Sequence, residues 1–139
     1  MAVNTRTEYA LRVLLELSQS DMLSAAKICE AQQLPKKYIE HLLAMLKNAG
    51  IVSSTAGSQG GYSLAKGPDQ ISFLDLLNAV GDRSYDTSCE IDSPRHCIGK
   101  ACNLTNYFSE LNDKIKEVFR TYSLADIKQT WKGENNETR

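Results

Sequence analysis

Three cysteines fall within fourteen residues, Cys89-Glu-Ile-Asp-Ser-Pro-Arg-His-Cys97-Ile-Gly-Lys-Ala-Cys102. Pro94 and Gly99 make the stretch read as a loop rather than a helix or strand. Thiolates crowded on a loop suit a soft metal centre, either zinc or an iron–sulfur cluster. An odd set of three does not close into disulfides by itself. Cys97 and Cys102 lie within zinc spacing, although a fourth zinc ligand is not obvious. A metal-free thiol switch working by disulfide exchange or sulfenic chemistry is the other alternative. The remaining cysteine, Cys29, sits beside Ala25, Ala26 and Ile28 and reads as a small core residue.

The rest of the composition narrows the setting. A chain of 139 residues is about one domain, or a small domain with an appended arm, and can bury a core without disulfides. It has no apolar run of the roughly 18 residues that a membrane span requires. The start, Met-Ala-Val-Asn-Thr-Arg-Thr-Glu, has no hydrophobic leader, so a cytoplasmic location with reduced thiols is expected. Net charge is −1, split between seven Lys/Arg and five Asp/Glu up to Gly67 and nine and twelve beyond it. That mild asymmetry permits a nucleic-acid partner without announcing one. There is no nucleotide-binding glycine motif, and no acid–base constellation beyond two histidines, which argues against an enzyme.

The elements that must carry the cysteines follow from periodicity. Thr5 to about Ser18 is predicted helical, with an apolar face of Tyr9, Leu11, Val13, Leu14, Leu15 and Leu17. Ser24 caps a short second helix over 25–31. Pro35 opens a third as its first residue, running through Ile39, Leu42, Leu43 and Leu46 to a stop at Gly50. Ile51–Ser54, the turn-rich Ala56–Gly61 and Tyr62–Ala65 predict a β-hairpin. Ser72 caps a fourth helix, Phe73–Val80, ended by Gly81. Beyond the cysteines, Leu104, Tyr107, Phe108, Leu111, Ile115, Val118, Phe119 and Tyr122 recur at three- and four-residue steps, a helix of about five turns with one apolar stripe. Such a stripe needs a partner, most simply the same helix of a second subunit. Ser123 caps a short last helix, and Gly133–Arg139 reads as a disordered tail.

Helix, helix, turn, helix and hairpin is the order of a winged helix-turn-helix module. The expected fold is therefore mainly α: a winged helix-turn-helix DNA-binding domain (1–82), a cysteine-bearing loop (83–102), and a long C-terminal dimerisation helix with a short terminal helix (103–132), before the tail (133–139). The third helix would enter the major groove, with the hairpin tip as the wing. Lys36 and Lys37 oppose the macrodipole in the helix's first turn, an arrangement that a bound phosphate reverses. Glu40 can accept a hydrogen bond from cytosine N4, and His41 follows it on the same turn. Glu40 is otherwise a helical-spacing partner for the lysines. Thr55, Ser58 and Gln59 on the wing could touch phosphate or the minor groove, with Lys66 and Arg6 as further backbone contacts.

Several fragments together carry a family resemblance: Tyr9-Ala10-Leu11-Arg12, Tyr38-Ile39-Glu40, Gly50-Ile51-Val52 leading into Gly57-Ser-Gln-Gly60-Gly61-Tyr62, the three-cysteine loop, and Ser123-Leu124-Ala125-Asp126-Ile127. The chain resembles the Rrf-two family of bacterial winged-helix regulators, which includes IscR and NsrR, from about Thr5 to Trp131. The resemblance implies a cytoplasmic homodimer with crossed long helices, binding a palindromic operator in double-stranded DNA. It also implies an iron–sulfur cluster, 2Fe–2S or 4Fe–4S, with Cys89, Cys97 and Cys102 as ligands. IscR-like members place a histidine shortly after the third cysteine, where this chain has Asn106. NsrR-like members use a carboxylate in the first helix, and Glu8 matches it, leaning the reading toward nitric-oxide or redox sensing. His96 abuts Cys97 and would form a strained chelate. Ala56 replaces the wing arginine of IscR-like members, so the operator need not be of IscR type. Some members of the family bind an enzyme partner instead of a cofactor, and those generally lack the cysteine loop.

Overall fold

The computed structural model describes residues 4–86 and 104–137, with side chains as far as Trp131. Helix α1 (Thr5–Leu17) is capped by Asn4, whose side chain accepts from the Thr7 amide at 2.9 Å. Its buried Ala10, Val13, Leu14 and Leu17 follow the three-and-four spacing of one helical face. Helix α2 (Ala25–Gln32) is capped by Ser24 as expected and ends at Gln33, a non-glycine residue in the left-handed region at φ 54°. The Gln33 amide donates to the Cys29 carbonyl, which helps to offset the roughly 1–2 kcal/mol cost of that conformation.

Helix α3 (Lys36–Asn48) starts one residue later than the sequence suggests. Pro35 occupies the cap position with an extended ψ of 137°, because the chain must reverse between α2 and α3 within three residues. Ile39, Leu42, Leu43 and Leu46 on α3 are fully buried against α1 and α2, and Gly50 supplies the left-handed stop at φ +76°. Strands β1 (Val52–Thr55) and β2 (Gly61–Leu64) pair antiparallel, from Val52 opposite Leu64 to Thr55 opposite Gly61. Leu23 and Tyr62 exchange backbone hydrogen bonds of 2.9 and 2.7 Å, stitching the hairpin to the segment that leads into α2.

Helix α4 (Phe73–Ala79) opens with a reciprocal Ser72–Asp75 capping box. Helix α5 (Thr105–Thr121) packs on it through Phe119, which lies edge-on to Phe73 and Tyr85 with ring centroids 5.4 and 5.5 Å away. The Phe73 amide donates to the Tyr122 carbonyl and the Leu124 amide to the Ile71 carbonyl, joining the start of α4 to the end of α5. Helix α6 (Leu124–Glu137) returns to the first domain, where Lys128 Nζ donates to the Ser18 carbonyl at 2.7 Å. This last helix is not short, and residues 133–137 continue it where a disordered tail is expected. The Ser123–Asp126 cap nucleates it, and with no proline beyond Pro94 each added residue gains a backbone bond. Among the described residues no helix is long and apolar enough to cross a membrane.

Candidate nucleic-acid interface and cluster ligands

Helix α3 separates cleanly into two faces. Its apolar residues point inward, while Lys36, Lys37, Glu40, His41, Ala44 and Lys47 are exposed. Lys36 Nζ stands 3.9 Å from Glu40 Oε1, and both side chains are largely exposed. Such a helical pair contributes only about 0.3–0.5 kcal/mol, so DNA can separate it at little cost. No side chain caps α3 and no acid occupies its first turn. Its leading amides and the two lysines therefore face solvent together, an arrangement that favours an anion.

Thr55, Ser58 and Gln59 are exposed at the far end of the hairpin, as is Ala56. The tip closes through the Gly60 amide donating to the Gly57 carbonyl at 3.0 Å. A Cβ at Gly60 would stand 2.0 Å from the Thr55 carbonyl oxygen, so only glycine fits this turn.

Helix α1 holds the start of α3 in place. Arg12 donates through Nε to Gln32 Oε1 at 2.6 Å and through its guanidinium to the Gln32 carbonyl at 2.9 Å. The Gln32 amide donates onward to Glu16 at 2.6 Å. The Arg12 guanidinium also sits 5.3 Å from the centre of the Tyr9 ring, and Tyr9 packs edge-on against Tyr38 at 5.7 Å. One face of α1 thus clamps both the turn before α3 and the first turn of α3.

The opposite end of α1 meets the root of the cysteine segment. Asp82 is 1% exposed and accepts hydrogen bonds from the Thr7 hydroxyl, the Ser84 amide (3.0 Å) and the Asn4 amide (3.3 Å). Burial pushes its carboxyl up, but the hydrogen bonds from Thr7, Ser84 and Asn4 outweigh burial and hold it below the usual carboxylate range. Glu8, next to Thr7, is exposed in the same turn, and its side chain has no partner among the described residues. Cys89, Cys97, Cys102 and His96 lie outside the described residues, so the loop's own arrangement is not part of this geometry. The donors nonetheless suit an iron–sulfur group. Three thiolates are on one segment, and a free carboxylate stands on the turn to which Asp82 ties that segment's root. Cys29 is half-buried on α2, packed against the core.

Sequence reasoning brought the exposed residues of α3 and the wing to one domain but missed Asp82 and the Arg12–Gln32 clamp. The Thr7–Asp82 bond spans 75 positions, and no periodic pattern encodes it. Asn4 three residues before Thr7 was the one local signal, a cap and its first-turn partner.

Known proteins resemble this chain along nearly its whole length. A family model described as "Rrf2: Iron-dependent Transcriptional regulator" matches residues 3–130. An HTH-type transcriptional regulator of Synechocystis sp. is 42% identical over 130 residues, covering 91% of this chain and 87% of that protein. The solved structure of T. potens IscR superposes with a TM-score of 0.69 at 28% identity, covering 94% of this chain and 88% of that one. CymR, the global cysteine regulator of B. subtilis, shares the fold with a TM-score of 0.71 at 24% identity, covering 94% and 98%. With two strands forming a wing behind three packed helices, the chain belongs to the Rrf2 family of winged-helix, DNA-binding transcriptional regulators.

Proposed function

We propose that this chain is a homodimeric transcriptional regulator whose affinity for a palindromic operator is set by an iron–sulfur cluster bound through Cys89, Cys97, Cys102 and Glu8. The observation that carries the reading is the exposed Glu8, without a partner among the described residues, on a turn pinned through Thr7 and Asp82 to the segment that runs into the cysteines. The cluster, when bound, supplies a centre reactive toward nitric oxide or redox change. A carboxylate is a harder ligand than thiolate, so Glu8 as a ligand would make that site more open to such chemistry.

The protein's own residues carry the signal from there. Glu8 would hold the group on the first turn of α1, the helix whose Arg12 and Tyr9 hold Gln32 and Tyr38. Small movements of that face re-aim α3, and in a dimer the spacing of two such helices decides the fit to successive major grooves. Lys36 and Lys37 would hold phosphate, Glu40 and His41 would face base edges, and Thr55, Ser58 and Gln59 would contact the backbone or minor groove from the wing. A second copy would cover the exposed stripe of α5, where Tyr107, Val118 and Tyr122 are all more than half exposed.

Absorption spectra and iron, sulfide and zinc analysis of anaerobically purified protein test the cluster. A brown protein with about equal iron and sulfide is expected, and Glu8→Ala should change its spectrum and its reactivity with nitric oxide. Protein that stays colourless after anaerobic reconstitution would overturn the reading. Stoichiometric zinc would then point to a structural site, and no metal to a thiol switch.

A further inference from the structure

Between the wing tip and the start of α2 lies an open pocket of about 270 Å³, lined by Ser24, Lys27, Ser58, Gln59 and Gly60 with Met22 at one side. Among the described residues no carboxylate lines it. Lys27 is exposed and has no ion-pair partner among the described residues. Ser24 Oγ accepts the Lys27 amide at 3.2 Å, which leaves the hydroxyl proton free to donate outward. Ser58 and Gln59 add a second hydroxyl and an amide NH₂ from the opposite wall. The groups around the pocket are therefore an unpaired ammonium and neutral donors, the set that an oxyanion satisfies. Its polar, open walls and volume below the usual 300–1,000 Å³ of small-molecule sites argue against an organic metabolite. The two walls keep their separation because Leu23 and Tyr62, adjoining them in the chain, are joined by paired backbone hydrogen bonds of 2.9 and 2.7 Å.

We infer that this pocket seats one backbone phosphate of duplex DNA, with Lys27 as its cation and Ser24, Ser58 and Gln59 as its hydrogen-bond donors. Ser58 and Gln59 belong to the wing tip, so a phosphate between them and Lys27 is part of the duplex that the wing meets. The seat fixes the wing's height on the DNA and carries no base information. The inference rests on the DNA-binding reading of this chain and is independent of the cluster.

The test is fluorescence anisotropy at several KCl concentrations, with full-length protein purified anaerobically. Two labelled duplexes serve as probes, one enriched from a random library by the wild-type protein and one a scrambled sequence of equal length. Each phosphate contact contributes about 0.9 to the slope of log affinity against log salt. Lys27→Gln should flatten that slope by about this amount on both duplexes. A fourfold rise in salt would then cost the variant roughly 3.5-fold less affinity than it costs wild type. Lys27→Arg should keep the wild-type slope. An unchanged slope in Lys27→Gln, or a loss confined to the enriched duplex, would overturn the inference. So would an unchanged slope combined with inorganic phosphate raising the melting temperature of wild type but not of Lys27→Gln, which would assign the pocket to a free anion. A wild-type protein that enriched no sequence from the library and did not bind the scrambled duplex would overturn the DNA-binding reading as well, so the two failures are told apart.

Discussion

Asp82 shows how one residue ties the stretch leading toward the cysteines to the first turn of α1. It is almost fully buried, yet three donors keep its carboxylate charged, with its pKa held below the ordinary range. A carboxylate depressed on folding adds stability that is complete above its unfolded pKa, near 4, and is lost as the pH falls through the lower folded value. At neutral pH, Asp82→Asn should therefore destabilise the protein by about 1.5–3 kcal/mol, the range for hydrogen bonds to a charged group. Wild type should lose its advantage over Asp82→Asn as the pH drops below about 4. Urea melts of both proteins at pH 7 and at a series of acid pH values would check this. A gap of constant size across the series would mean that the carboxylate charge plays no part. Glu8, the chain neighbour of Thr7, contrasts with Asp82, being exposed and without a side-chain partner among the described residues.

At the scale of elements, the wing depends on a turn that admits only glycine at Gly60, where a methyl group would meet the Thr55 carbonyl at 2.0 Å. Gly60→Ala should distort the tip and cost about 1–3 kcal/mol of local strain. The tip residues themselves are exposed and stand outside the apolar core, so global folding should survive while duplex affinity falls. Paired thermal melts and anisotropy titrations would show this, and a variant that binds like wild type would remove the wing tip from the interface. The elements themselves were largely legible in the sequence. Apolar spacing and caps located the α-helices of the described residues, while the 3-10 turn over Pro68–Gln70 was not read, and Ser24, Ser72 and Gly50 marked real ends. Legibility failed where tertiary contacts decide. Pro35 became a cap because α2 and α3 must meet sharply, and the last helix outran its expected end. The exposure of Lys36, Lys37, Glu40 and His41 was legible, because periodicity sets them on the outer face of α3. The network behind them was not, because Arg12–Gln32 and Thr7–Asp82 join segments 20 and 75 residues apart.

For the whole molecule, α5 sets the argument. Within one chain it buries Phe119 and Asn112 and leaves Tyr107, Val118 and Tyr122 more than half exposed along a helix of 17 residues. An open apolar groove lined by Leu11, Phe73, Val118, Phe119, Tyr122 and Ile127 continues that stripe onto the first domain. Burying a large apolar side chain contributes about 1.5–3 kcal/mol, so covering Val118 and Tyr122 in a symmetric contact would count twice over in a dimer. The same contact would set the distance between two α3 helices, since α5 packs on α4 and α4 is part of the DNA-binding domain. A Val118→Asp, Tyr122→Glu double variant should therefore elute as a folded monomer, because both side chains are solvent-facing in the single chain and charging them costs its core little. Light scattering coupled to size exclusion would give the mass, and circular dichroism would confirm that helix content is kept. Duplex binding by this variant should weaken markedly, since two linked DNA-binding domains would no longer engage one duplex together. A double variant that remained dimeric would place the subunit contact elsewhere and detach α5 from the spacing of the recognition helices.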